Sequence, residues 1–286
     1  MRSRSSPGLS ALLVLWCALL AGCAVPMSIR LEQPDRLRIS GTIAKGSAEK
    51  FAQRLKPGVR TVVVSSRGGI HDEALAIAEM IHERGLSVEV DGECFSACAQ
   101  FIFPAGAQRG VLPSGFLAFH AGDAPLKKLL LKEYAKAKLP TEAGAESLAH
   151  RVSTTREHFA AMEQRAASHY RAVGMQPTVV DFFTRLTTPR LRQVIISADA
   201  TAHRADVAPA PCDWWVPDDR GLQALGVPIG NFELPSTAKI ARSLNTDVER
   251  IYFGPPIDNA SDDQLAALCG QVQLGHSGAG PGSSSP

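Results

Sequence analysis

The side chains whose types and spacing suggest chemistry are a serine, a histidine and a pair of glycines. In Gly92-Glu93-Cys94-Phe95-Ser96-Ala97-Cys98-Ala99, Ser96 stands between a strand-forming run and a helix-forming one, with small residues after it. The N-terminus of a helix offers unpaired N–H groups and positive potential to a developing oxyanion, and small neighbours let a substrate carbonyl come close. The plainer reading is a helix N-cap, the usual task of serine at such a junction, and the G-x-S-x-G setting of a nucleophile elbow is absent. His120 closes the run Phe116-Leu117-Ala118-Phe119 and precedes Ala121-Gly122. A histidine there is either a hydrogen-bonded core residue or a general base. Gly68-Gly69 ends another strand-forming run. Adjacent glycines can turn backbone N–H groups toward an oxyanion, or simply make a turn. Taken one at a time, each of the three elements also has a plain structural reading.

The elements that must position these groups follow from hydrophobic periodicity. Leu37 to Gly41 reads as a first strand and Ser47 to Leu55 as a short amphipathic helix stopped by Pro57-Gly58. Thr61 to Ser65 is a β-branched run of the kind buried on both faces. His71 to Arg84 predicts a helix with Ala74, Leu75, Ala78 and Ile81 inward, ended by Gly85. Leu86 to Val90 alternates as a strand, Asp91-Gly92 turns it, Ala97 to Phe103 is a short helix, and Gly115 to His120 is a further strand. Strands alternating with helices predict βαβ units and a mainly parallel sheet, hence an α/β fold.

Beyond Gly122 the pattern turns helical: Leu126 to Leu139, Glu142 to Val173, and Pro177 to Leu186. Leu191 to Ser197 reads as a strand, Pro209-Ala210-Pro211 as a loop, and Asp213 to Ile229 as a tight helix-and-turn unit. Ser261-Asp262-Asp263-Gln264 caps a last helix, and Gly275 to Pro286 has almost nothing to bury. The organisation expected is a signal peptide over 1–22, a linker over 23–36, one domain over 37–270 with a helical insert at about 125–187, and a disordered tail over 271–286.

Arg2 and Arg4 followed by the apolar run Leu9 to Leu20 form a secretory signal too short for a bilayer span. Its end, Leu20-Ala21-Gly22-Cys23, resembles the bacterial lipobox, which implies lipidation of Cys23 and an anchored envelope protein. An ordinary cleaved signal with a soluble periplasmic product is the alternative. Ala24 lacks the acid that commonly signals inner-membrane retention, which favours the outer membrane. The formal net charge of +2 disappears once residues 1–22 are removed, leaving no electrostatic footprint for nucleic acid. Of the 6 cysteines, Cys94, Cys98, Cys212 and Cys269 then remain in an oxidising compartment. Three pairings are open; Cys94 with Cys98 and Cys212 with Cys269 is the most economical, the first of them feasible if Cys94 lies in a loop just before a helix. A metal-binding or redox-active pair is disfavoured, because the spacing is not C-x-x-C.

In order and spacing, Ser66-Arg67-Gly68-Gly69, Gly92-x-x-x-Ser96-x-x-Ala99, Ala105-Gly106, Arg109 and Phe119-His120 resemble the proteolytic subunit of Clp protease. That subunit belongs to the ClpP/crotonase-like superfamily, and the chain looks most like its exported members with Cys-x-Ser-x-Cys in the core. The resemblance covers about residues 37–122. It implies a ClpP/crotonase-like core of βαβ and ββα units, with the helical insert after the histidine strand. It implies Ser96 as nucleophile, His120 as general base, and an oxyanion hole from the Gly68-Gly69 turn and Ala97, with the N–H groups of Gly69 and Ala97 as donors. For the third member of a triad it points to Asp213, with Asp199 and Asp206 as rivals; a helix-start cap is the other reading of Asp213. Where the family has proline before the glycines, this chain has Arg67, which is a solvated rim charge, a contact for a substrate carboxylate, or a residue that closes the groove.

Two function classes follow: an envelope serine hydrolase, most naturally a peptidase acting on short or unfolded peptides, and a non-catalytic envelope module that kept the fold. No cofactor or metal is implied, no ATP-driven unfoldase partner is expected outside the cytoplasm, and a homo-oligomer is implied by resemblance alone.

Overall fold

The computed structural model describes residues 26–120, 157, 160–187, 190–196, 203–208, 210–228 and 233–269. Strands β1 (Ser28–Gln33), β2 (Arg36–Ser40), β3 (Thr61–Ser66), β4 (Ser87–Phe95), β5 (Arg109–Val111) and β6 (Phe116–Ala118) form one sheet. The order is β1-β2-β3-β4-β5, with β6 also on β4, and only β1 with β2 is antiparallel. Parallel neighbours need crossovers. Helix α1 (Ser47–Arg54) supplies the one from β2 to β3, and α2 (His71–Glu83) the one from β3 to β4. The expected α/β fold with a mainly parallel sheet is present.

The β-branched run reads true: Val62, Val63 and Val64 are all fully buried, each contributing about 1.5–3 kcal/mol of burial free energy. Helix α2 buries Ala74, Leu75, Ile77, Ala78 and Ile81. Its Glu73 performs a second task, accepting the N–H groups of Gly46 and Ala48 at 2.8 Å each. That carboxylate caps α1, whose own N-cap residue, Gly46, has no side chain to do so.

Several expectations fail in this part of the chain. Residues 28–33, expected within a linker, form β1, which is mostly exposed and so has no apolar face to announce it. Asp91-Gly92 does not end a strand. Gly92 takes φ +103°, the register against β3 slips, and β4 runs on to Phe95. Its first half pairs with β5 and its second with β6, so Ser96 is carried to the end of the sheet. Cys94 accordingly lies in a strand, not a loop. The helix expected over Ala97 to Phe103 is a π turn, Cys98–Ile102, followed by a 3-10 turn, Phe103–Ala105.

The described part of the expected insert is α3 (residues 160–172) and α4 (Pro177–Thr187). Arg165 on α3 makes a bidentate pair with Glu79 on α2, while His169 and Tyr170 pack on Phe101 of the π turn. Strand β7 (Arg190–Ile196) matches the expected one; its antiparallel partner β8 (His203–Ala208) has no counterpart in the sequence reading. The helix-and-turn unit expected from Asp213 begins instead with β9 (Trp214–Val216) before α5 (Asp219–Ala224). Helix α6 (Thr237–Leu244) and β10 (Ile251–Phe253), which runs parallel to β9, complete this region. The predicted cap of the last helix, α7 (Asp262–Leu268), is a reciprocal capping box between Ser261 and Gln264. The expected leader, Cys23, the first part of the insert and the tail lie outside the described residues. Among the described residues no helix is long and apolar enough to cross a membrane.

Two apolar clusters flank the sheet. Cys94, Ala97 and Cys98 belong to the larger one, and Phe95 to a second with Phe116, Ala118, Val216, Ile240 and Leu244. Alternation along β4 thus pins the chain into both cores immediately before Ser96.

Candidate active site

Ser96 directly follows the end of β4 and, with Ala97, leads into the helical turn; it adopts φ +52°, a left-handed conformation. For a non-glycine residue this costs about 1–2 kcal/mol, so the surroundings must hold it. Its N–H donates to the Ala118 carbonyl at 3.0 Å, and its carbonyl accepts the Gln100 N–H at 2.9 Å. A disulfide between Cys94 and Cys98, with Cα atoms 5.3 Å apart, closes the turn around it. The tight reversal lifts the Ser96 side chain out of both cores. Its Oγ lies 2.7 Å from His120 Nε2.

His120 is held from several directions. Phe119 exchanges two backbone hydrogen bonds with Trp215, of 2.8 and 2.9 Å, anchoring the end of β6 on β9. The buried side-chain amide of Gln100 donates to the His120 carbonyl. Trp214 lies against the imidazole with ring centroids 4.4 Å apart. Neither Gln100 nor the two tryptophans carried a chemical signal in the sequence. Gln100 is recognisable only as the residue one helical turn after Ser96, once that turn is seen.

The glycine pair divides its labour. Gly69 forms a parallel bridge with Ile43, in which Ile43 bonds the Gly68 carbonyl and the Ile70 N–H. In such a bridge the N–H of Gly69 itself faces the other way. Among the described residues neither that N–H nor the N–H of Ala97 has an acceptor. A side chain at Gly69 would strike the Ile43 carbonyl oxygen. Gly68 does not fit the donor role, because its N–H is already given to Ser66 Oγ at 3.2 Å. It acts as a spacer. A Cβ there would lie 2.6 Å from the Phe95 oxygen, 2.8 Å from Ser96 Cβ and 2.9 Å from Ala97 N. Only glycine lets this loop rest against the serine turn.

Asp213 takes a different place from the one expected. Its Oδ1 accepts from Arg250 at 2.6 Å and its Oδ2 from Thr246 at 2.8 Å. Both oxygens are committed to the base of β10, beside an open cleft of about 900 Å³ that Arg242, Asn245 and Thr246 also line. The carboxylate is used for fastening, so the assignment of Asp213 as orienter of His120 is corrected. It also does not cap α5: that cap is Asp218, which accepts the Gly221 N–H at 2.9 Å. Of its rivals, Asp199 lies outside the described residues, and the backbone of Asp206 pairs with Gln193 in the β7–β8 hairpin.

Arg67 is a rim residue. It is exposed, donates to the Ser243 carbonyl at 2.6 Å and lies over the Phe95 ring. Arg109 is a clamp. Its guanidinium donates to the carbonyls of Gly106 (3.2 Å), Leu225 (2.7 Å) and Val173 (2.6 Å). Burial lowers its pKa, yet an arginine remains charged. The second disulfide joins Cys212 to Cys269, so the economical pairing is the one present. Among the described residues no group of histidine, cysteine, aspartate and glutamate has the makings of a metal site.

No family model and no curated protein matches this sequence. Among solved structures, a point mutant of ClpP1 from Listeria monocytogenes is 19% identical over 53% of this chain and 80% of its own, with a TM-score of 0.31. A probable enoyl-CoA hydratase/isomerase from Mycobacterium abscessus is 12% identical over 49% and 75%, TM-score 0.27. A methylmalonyl CoA decarboxylase is 11% identical over 35% of this chain and only 48% of its own length, TM-score 0.26. Scores of this size carry no conclusion about activity. The geometry of the site has to speak for itself.

Proposed function

We propose that this chain is a serine hydrolase working through an acyl-enzyme, most naturally a peptidase acting on short or unfolded peptides in the cell envelope. The observation that carries this reading is the 2.7 Å contact between Ser96 Oγ and His120 Nε2 at a left-handed strand-to-helix turn. With its proton on Nδ1, His120 takes the hydroxyl proton at Nε2 as Ser96 attacks a carbonyl carbon. The N–H groups of Gly69 and Ala97 are the donors for the resulting oxyanion, a contribution of about 2.7–4 kcal/mol for a single donor. His120 then returns the proton to the leaving amine, and water repeats the sequence to release the acid. Trp214 and Gln100 keep the imidazole aimed.

The test is labelling of the purified, oxidised chain with a fluorophosphonate probe. Wild type is expected to label; Ser96→Ala and His120→Ala are not. A folded wild type that stays unlabelled refutes the hydrolase and leaves the non-catalytic module. The envelope location and the anchor at Cys23 belong to the same proposal, resting on the leader sequence. Incorporation of a palmitate analogue that is lost in Cys23→Ser is the expected result; equal incorporation by the variant would rule the anchor out.

A further inference from the structure

Both sulfurs of the Cys94–Cys98 bond belong to residues with no solvent exposure, and the loop it closes has Ser96 at its centre. We propose that Cys94 and Cys98 are positioning residues for the hydroxyl: their disulfide is a staple that holds Ser96 left-handed and its Oγ against His120. This rests on the hydrolase reading above.

Four residues of extended chain would span roughly 13 Å, yet Cys94 and Cys98 have Cα atoms 5.3 Å apart. The reversal is therefore made by Phe95, Ser96 and Ala97, and Ser96 is the one whose φ is unfavourable. Hydrogen bonds to Ala118 and from Gln100 hold its two peptide groups, but neither fixes the separation of the turn's ends. The disulfide does. A turn free to open lets Ser96 relax to a right-handed φ, which swings its side chain away from the imidazole. The left-handed cost, about 1–2 kcal/mol, corresponds to a roughly 5–30-fold loss of the competent population. Burial of both cysteines shields the bond from thiols in the folded protein, so the staple is a fixed part of the site.

The experiment compares the full oxidised chain with Cys94→Ala/Cys98→Ala and with Cys212→Ala/Cys269→Ala. Cys94→Ala/Cys98→Val serves as a second, better-filled version of the first. Fluorophosphonate inactivation gives the maximal rate and the half-saturating concentration separately. Histidine-selective ¹⁵N spectra, with His120 assigned by its loss in His120→Ala, report on the imidazole independently of activity. Loss of the first disulfide is expected to lower the maximal rate about 5–30-fold, to change half-saturation by less than about twofold, and to move the His120 Nε2 resonance. Loss of the second, which links residues 57 apart, is expected to lower the urea midpoint more while leaving the rate and resonance unchanged.

Equal losses of rate in the two double variants, or a rate and resonance unmoved without Cys94–Cys98, overturn the staple and leave the hydrolase standing. An unlabelled wild type overturns the hydrolase instead, and the His120 resonance then decides the staple alone.

Discussion

Replacing Arg109 by methionine tests whether this arginine is a structural clamp. Its guanidinium gathers the carbonyls of Val173, just after α3, of Leu225, just after α5, and of Gly106 beside the 3-10 turn. It thereby ties two helix ends from later in the chain to the edge of the sheet. Methionine restores the stem but leaves these carbonyls among buried side chains without donors. A hydrogen bond to a charged group contributes about 1.5–3 kcal/mol net, and bonds sharing one head group do not add fully. With three bonds lost from a part-buried head group and three carbonyls left without a donor, we expect a loss of about 3–5 kcal/mol. At about 2–4 °C per kcal/mol, the melting temperature should fall by roughly 6–20 °C. Urea unfolding followed by far-ultraviolet circular dichroism and by tryptophan fluorescence, with Trp215 fully buried, measures it. Lysine keeps the charge but not the fork, so Arg109→Lys should recover only part of the loss. A loss below about 1 kcal/mol for Arg109→Met, or full recovery by lysine, would refute the clamp.

Two further predictions concern pH and the spacer glycine. His169 is buried and donates from Nε2 to the Phe101 carbonyl at 3.1 Å; burial lowers its pKa from the ordinary 6.5. The unfolded chain therefore takes up this proton first. The stability His169 lends is complete above about pH 6.5 and is lost as the pH falls toward its folded value. The difference in urea midpoint between wild type and His169→Gln should shrink on acidification, and a pH-independent difference would contradict this. Gly68→Ala forces a Cβ into the Phe95 carbonyl and the Ser96 turn at a φ of +81°, so fluorophosphonate labelling should fall at least tenfold with some loss of stability. Normal labelling by that variant would mean that the glycine loop does not define the site.

The core sheet was legible because its signals are local. Val62 to Val64 are β-branched and buried on both faces, and α2 carries a continuous apolar stripe between His71 and Gly85. Ser96, His120 and Gly69 stand out by type and order, and the fold brings them to one end of the sheet. What escaped notice depends on partners far along the chain. Strands β5, β9 and β10 have only three residues each, too few to show a period of two. Gly92 read as a turn because nothing nearby reveals that β6 waits to continue the pairing of β4. Asp213 looked catalytic by position, and only the fold reveals Arg250 and Thr246 as the owners of its oxygens. Gln100 was missed because its importance lies in one amide reaching back to the His120 carbonyl.

The joint between Phe119 and Trp215 has a consequence for timing. Everything needed to build β1 to β6 and the serine turn lies before residue 121, whereas the strand that steadies the histidine, β9, comes only at Trp214–Val216. A chain emerging N-terminus first will have the Ser96 turn in place before His120 is secured. The order of the sequence thus sets the serine turn first and the seat of His120 later.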